Sequence, residues 1–172
     1  MGMSPPGFLT AFVEGNYDDC VANPDCLRRA FNAAVSTSHL ADHYYEYHRR
    51  HTPTRLAHFG SLAKFNEHVA TQVGQQFEDI RSISNAYKHL YESKKGRGGT
   101  KTYWSVSSAG SIECITFGAK GASLASVEQD YLDIGITPPR SRIIFRRRDG
   151  TQGEFLPSLK RVVDFWSIEV YR

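Results

Sequence analysis

At 172 residues, 40% hydrophobic and 23% charged, the chain has the make-up of one globular domain rather than of a disordered tract. It has no apolar run near the ~20 residues a membrane helix needs, and its start lacks the basic-then-apolar order of a secretion signal. Three cysteines without a CxxC pair argue against a disulfide framework, so a cytoplasmic protein with reduced thiols is expected. The net charge of +3 conceals an asymmetry: residues 1–93 hold eight Lys/Arg against ten Asp/Glu, and residues 94–172 hold thirteen against eight.

In chain order, residues 1–19 read as an N-terminal lead, loose and polar over residues 1–6. Asn23-Pro24-Asp25 then opens the first helix, with Asn as its cap, Pro in its first turn and Asp at the positive end of its dipole. Leu27, Phe31, Ala34, Ser38, Ala41 and Tyr45 keep helical spacing to about Arg50, and Val35 widens the stripe. Thr52-Pro53-Thr54 breaks the chain. A second helical segment follows from about Arg55, its inner face marked by Leu56, Phe59, Leu62, Ala63, Asn66, Val69, Ala70 and Val73. Gly74 weakens it, and Gln75-Gln76 bends into a third segment. There Phe77, Ile80, Ser84, Tyr87 and Tyr91 face inward, with Ile83 and Leu90 beside them. Residues 94–99 read as a glycine-rich connector, because they lack the order of a phosphate loop.

The remainder is β-prone. Residues 101–107 and 111–117 form a hairpin across Ser108-Ala109-Gly110. Residues 118–139 carry no firm pattern, with a short helix or an irregular crossing at 123–132. Residues 142–146 and 151–155 flank Asp149-Gly150, a strong hairpin turn pair. Leu159, Val162, Val163, Trp166 and Val170 mark an amphipathic last helix, with Trp104 and Trp166 as core anchors. The expected fold is α+β and mainly helical, a single domain over 1–172. It comprises a lead (1–19), a helical part (20–95), a β-hairpin part (96–156) and a C-terminal helix (157–172). Three N-terminal helical segments and the last helix pack as a bundle, with the two hairpins inserted before that helix. Phe31, Val35, Phe77, Ile80, Leu159, Val163 and Trp166 should share one core.

All seven histidines lie between His39 and His89, which is where imidazole chemistry is to be sought. His39, Asp42, His43 and Glu46 stand at i, i+3, i+4 and i+7, along one side of a helix. Two histidines a turn apart with a carboxylate suit a divalent metal, so His39, His43 and Glu46 are candidate ligands. His48, His51 or a residue of another helix would complete the set. The preferred alternative is a polar helix flank at the rim of the core. A second set, Glu78, Ser82, Asn85 and His89, shares a side of the third segment, with Arg81 and Lys88 adjoining. Asn suits orientation of a substrate and His suits acid–base work. The preferred alternative is an Asn–His pair that satisfies buried polar groups.

The stretch Asp79-Ile80-Arg81, continuing to Asn85-Ala86-Tyr87-Lys88-His89-Leu90, resembles the NAxKH helix ends of small, mostly uncharacterised bacterial proteins. More loosely, residues 20–95 with the last helix resemble the HEPN helical bundles, many of which are RNA-cleaving toxins or partners of nucleotidyltransferases. In HEPN ribonucleases an Arg and a following His act on the RNA 2′-OH and the scissile phosphate. The resemblance carries over Asn85 and His89, with Arg81 as the arginine. Seven residues separate Arg81 from His89, more than the family pattern has. The expected role is a small intracellular accessory or binding protein. The alternatives are an RNA-cleaving or metal-dependent hydrolase using the His-rich helices, and a homodimeric structural module.

Arg140, Arg142, Arg146, Arg147 and Arg148, followed by Lys160 and Arg161, make the second half basic. Arg142, Arg146 and Arg148 are candidate phosphate contacts for weak nucleic-acid binding without sequence preference. The preferred alternative is charge that guards a strand edge.

Overall fold

Ser4 accepts a hydrogen bond from the Gly7 N–H (3.3 Å), and Pro5-Pro6 suit a first helical turn whose N–H groups have no partners. Helix α1 (Pro5–Phe8) therefore begins where a loose lead was expected. It runs through a π-helical stretch (Leu9–Glu14) into α2 (Gly15–Ala22). Leu9 and Val13 of the π turn and Cys20 of α2 are buried in the core, so this segment is a packed layer and not a lead. Gly7, Gly15 and Asn16 are poor helix formers and disguised it. The structure, a computed structural model, describes residues 2–92, 101–106, 110–119, 131–133, 135–137 and 142–172. The connector at 94–99, residues 123–130 of the uncertain crossing and Arg140 lie outside the described residues.

Helix α3 (Leu27–His51) buries Phe31, Ala34, Ser38, Ala41 and Tyr45 as their spacing predicts. Its start differs from expectation. Cys26 is the cap residue, and Asn23 instead closes α2, its N–H donating to the Cys20 carbonyl (3.2 Å). Asn23-Pro24-Asp25 is thus a turn between two helices. Val35 is half-buried and so lies outside the core.

Helix α4 (Pro53–Leu56) and a 3-10 turn (Ala57–Phe59) lead to α5 (Leu62–Val73), which Ser61 caps by accepting from the Lys64 N–H. Phe65 fills the inner face of α5, while Ala63 is exposed. Helix α6 (Gln75–Ala86) follows Gly74 and ends in a 3-10 turn (Tyr87–His89). The helical stripe stops there: Tyr87 is exposed, and Tyr91 belongs to strand β1 (Leu90–Glu92).

Strands β2 (Lys101–Ser105), β3 (Ile112–Ala119), β4 (Arg142–Arg147) and β5 (Gln152–Glu154) join β1 in one antiparallel sheet ordered as in the sequence. Strands β2 and β3, and β4 and β5, pair as the two expected hairpins require, with residues 107–109 of the first one outside the described residues. They fuse because β3 also pairs with β4, placing Ile115 opposite Phe145. Gly150, at φ +88°, supplies the left-handed residue that the turn after β4 requires. Helix α7 (Phe155–Glu169) starts directly after β5, two residues ahead of the expected boundary at 157, and packs on α3 and α6. The fold is α+β and mainly helical. Among the described residues, no helix is long and apolar enough to cross a membrane.

Phe31, Phe77, Ile80, Leu159, Val163 and Trp166 lie in one buried cluster, which extends through Ile115 and Phe145 into the sheet. Trp166 is fully enclosed, with the Tyr44 ring centroid 5.5 Å away and that of Phe65 6.5 Å away. Trp166→Ala should lower stability by on the order of 3–5 kcal/mol, measured by urea denaturation. A midpoint unchanged from wild type would mean that α7 does not depend on this side chain for docking.

Candidate functional site

Along β4 the side chains alternate, so Ile143, Phe145 and Arg147 share the face that Phe145 buries in the core. An arginine continuing an apolar face must meet a carboxylate there, and it does. Arg147 donates through Nε to Asp79 Oδ1 (2.7 Å) and through Nη2 to Oδ2 (2.6 Å), a bidentate pair across the junction of α6 and the sheet. Asp79 is 0% exposed, and Gln75 Nε2 adds a donor to it at 3.3 Å. Arg147 Nη1 bonds Thr151 Oγ1 (3.0 Å) and the Gln152 carbonyl (3.3 Å), so the same side chain also anchors the approach to β5. Its hydrogen bonds to Asp79 raise the guanidinium pKa above its ordinary value. Gly153 makes room for this arrangement: a Cβ there would lie 2.4 Å from Phe145 Cζ and 3.1 Å from Arg147 Nη2.

Beside this pair a second polar network ties β4 to the end of β5. Arg142 Nε meets Glu154 Oε1 at 3.2 Å, with the two side chains 7% and 8% exposed. Burial, reinforced by the Glu154 carboxylate, pushes the Tyr131 phenol well above its ordinary value.

Between the two networks and α7 lies a polar cleft of about 550 Å³. Asp133, Arg147, Glu154, Ser158, Arg161 and Asp164 line it, and Gln76 and Gln152 contribute amides. Asp164 is paired with Lys160. Arg161 donates Nε to the carbonyl of Val73 (3.1 Å), the last residue of α5, a favourable place for a cation at a helix C-terminus. Among the described residues, Arg161 has no other hydrogen-bond partner, which leaves its Nη groups available to the cleft. A separate, open groove of about 450 Å³ lies between the N-terminal helical layer and α3, lined by Phe8, Phe12, Asn16, Val35, His39 and Tyr87.

The sequence-derived candidates lie elsewhere. Arg81 stands 4.0 Å from Asp42 and bridges α6 to α3, while Asn85 and His89 are exposed; none of the three lines the polar cleft. Of the candidate metal ligands, His39 opens onto the groove. His43 stacks on Phe8 (4.8 Å) with its Nε2 2.9 Å from the Met3 carbonyl, and Glu46 is held by Arg49 (2.8 Å) and Arg50 (3.6 Å). No three His, Cys, Asp or Glu side chains group for a metal among the described residues. His48 is buried with its Nδ1 2.6 Å from Thr52 Oγ1; burial first, then Arg55 and His51, lower its pKa.

The candidate phosphate contacts are largely committed to carboxylates. Arg142 is sealed against Glu154, and Arg146 bonds Glu113 (2.7 Å) while lying over the Trp104 ring (5.3 Å). Arg148 sits past the end of β4, its backbone N–H donating to the Ser111 carbonyl, so it does not share a strand face with Arg146. Sequence reasoning missed Asp79, Arg147, Glu154 and Arg161. The period-2 placement of Arg147 beyond Ile143 and Phe145 was the one signal that marked a buried charge.

No protein-family model, curated protein or solved structure matches the chain.

Removing one partner of a buried ion pair strands the other. Arg147→Met should therefore destabilise the protein by about 3–5 kcal/mol, with Asp79→Ala acting similarly. The double variant Asp79→Leu/Arg147→Met should recover much of that loss. Additive losses in a denaturation cycle would show that the two side chains act independently.

Proposed function

We propose that the protein is a small accessory or binding module whose ligand occupies the polar cleft between the bundle and the sheet. The observation that carries this reading is the state of the charges at the cleft. Arg147, Glu154 and Asp164 are each matched by Asp79, Arg142 and Lys160, and Asp133 is engaged as well, while Arg161 keeps unpartnered donors. Matched pairs hold walls in place, and one open guanidinium is a recognition point. No histidine or cysteine is among the described residues that line the cleft, so imidazole and thiol chemistry have no support there. The exposure of Asn85 and His89, away from the cleft, weighs in the same direction against an RNA-cleaving role. The carboxylates that engage Arg142 and Arg146 weigh against nucleic acid as the partner. Cys20, Cys26 and Cys114 are free, and burial pushes the Cys20 thiol up to about 12; unpaired thiols support a cytoplasmic setting.

A ligand present at ~100 times its Kd stabilises the folded state by about 2.7 kcal/mol. For a chain of this size that is a rise in Tm of roughly 5–10 °C, at about 2–4 °C per kcal/mol. A thermal-shift screen of small polar molecules should yield such a ligand for the wild type. Gln152→Trp, at an exposed position on the cleft wall, should fold normally and lose the response. RNA cleavage by the wild type that disappears in His89→Ala would replace this reading with the ribonuclease one.

Homodimerisation is a second reading. Phe12 and Tyr87 are 46% and 51% exposed on one groove, an aromatic surface that a second copy of the chain would cover. Light scattering should then report a dimer that Phe12→Asp dissociates. A monomer at all concentrations would dismiss it.

A further inference from the structure

We infer that the ligand of the polar cleft is a free α-amino acid with a polar side chain, bound as its zwitterion. The inference rests on the binding-module reading above and names its ligand class. Arg161 and Asp164 lie three residues apart on α7 and both line the cleft. Side chains at that spacing are neighbours, with Cβ atoms about 5–6 Å apart. Among the described residues, Arg161 and Asp164 form no ion pair with each other: Arg161 is drawn to the Val73 carbonyl and Asp164 to Lys160. A cation and an anion held side by side without pairing suit a ligand whose carboxylate and ammonium are separated by a single carbon.

The Nε bond to Val73 orients the Arg161 guanidinium, leaving the Nη edge for the ligand. That edge presents parallel donors, a geometry that matches a carboxylate. Asp164 is 54% exposed, and Lys160 bonds its Oδ1, so Oδ2 is available to accept from an ammonium. The remaining polar lining, the amides of Gln76 and Gln152 and the carboxylate of Asp133, suits a side chain that donates hydrogen bonds rather than an anionic one. A polyanion fits badly, because the carboxylates of Asp133, Glu154 and Asp164 line the cleft with the open guanidinium of Arg161. A peptide fits badly too, since its amine and carboxylate lie at opposite ends of the chain.

The test uses the full chain, by thermal shift and isothermal titration, with the proteinogenic amino acids as probes. The C-terminal amide and N-acetyl forms of the best binder, succinate and inorganic phosphate are the controls. At least one polar amino acid should bind. Blocking either end should weaken it by at least about tenfold, the worth of one charge-assisted contact. Arg161→Met and Asp164→Asn should each lose affinity to the same degree, with unliganded Tm showing that both variants fold. Arg161→Lys, which keeps the charge without the fork, should fall between wild type and Arg161→Met. Equal binding of the amide, or phosphate or succinate bound as tightly with Asp164→Asn indifferent, would overturn the assignment. If no amino acid binds but another small molecule does and Gln152→Trp blocks it, the zwitterion falls and the binding module stands. If nothing binds, both fall.

Discussion

A carboxylate with no exposure to water is tolerable only when its charge is met in place, and Asp79 imposes that condition on the whole junction of bundle and sheet. Its partner, Arg147, is 68 residues away in sequence. Meeting it sets where β4 lies against α6. Because Arg147 also bonds Thr151 and the Gln152 carbonyl, the approach to β5 is held by the same side chain. The Phe145 ring, packed on the same face as Arg147, excludes any Cβ at position 153, so β5 carries a glycine there. Helix α7 starts at the end of β5, which makes the placement of Arg161 and Asp164 a further consequence. A buried pair of this kind adds little net stability over apolar side chains of the same shape. What it contributes is registry: a slip of β4 by one residue would turn Arg147 away from Asp79 and Phe145 out of the core.

The basic character of the second half changes meaning once the acids that meet it are counted. Arg142, Arg146 and Arg147 lie within six residues of one another, and in sequence they look like a patch. In the fold each meets a different carboxylate: Glu154, Glu113 and Asp79. Alternation along the strand separates Arg146 from Arg147, and the local burial of Arg142 removes it from the surface. Long-range attraction of a phosphate chain needs several unmatched cations on one face. These arginines instead act as separate fasteners between elements.

The features that periodicity alone controls were legible in the sequence. Phe31, Ala41 and Tyr45 on α3, and Leu159, Val163 and Trp166 on α7, point inward because only one face of each helix can be buried. Asp149-Gly150 announced its hairpin because few residue pairs accept the required backbone. The N-terminal layer was not legible: its apolar residues Leu9 and Val13 belong to a π turn, and two glycines and an asparagine lower its helical propensity. The candidate site was hidden for another reason. Its parts come from α6, β4, β5 and α7, and no local pattern reports that Asp79 and Arg147, or Arg142 and Glu154, will meet. Only the continuation of an apolar strand face into Arg147 hinted at a buried charge.

The histidines show the converse, a conspicuous local pattern without a shared site. Helical spacing does bring His39, Asp42, His43 and Glu46 to one side of α3, yet the neighbours of each are different. The N-terminal layer covers His43 with Phe8 and offers it the Met3 carbonyl, whereas Arg49 and Arg50 of the next turn hold Glu46. His48, one residue off that stripe, turns inward to Tyr44 and ends the helix on Thr52, where burial and Arg55 hold it towards its neutral form. Residues on one helical face become a site only when whatever packs on that face leaves them a common opening. On α3 the packing divides the stripe, while on α7 it leaves Arg161 and Asp164 lining the same cleft.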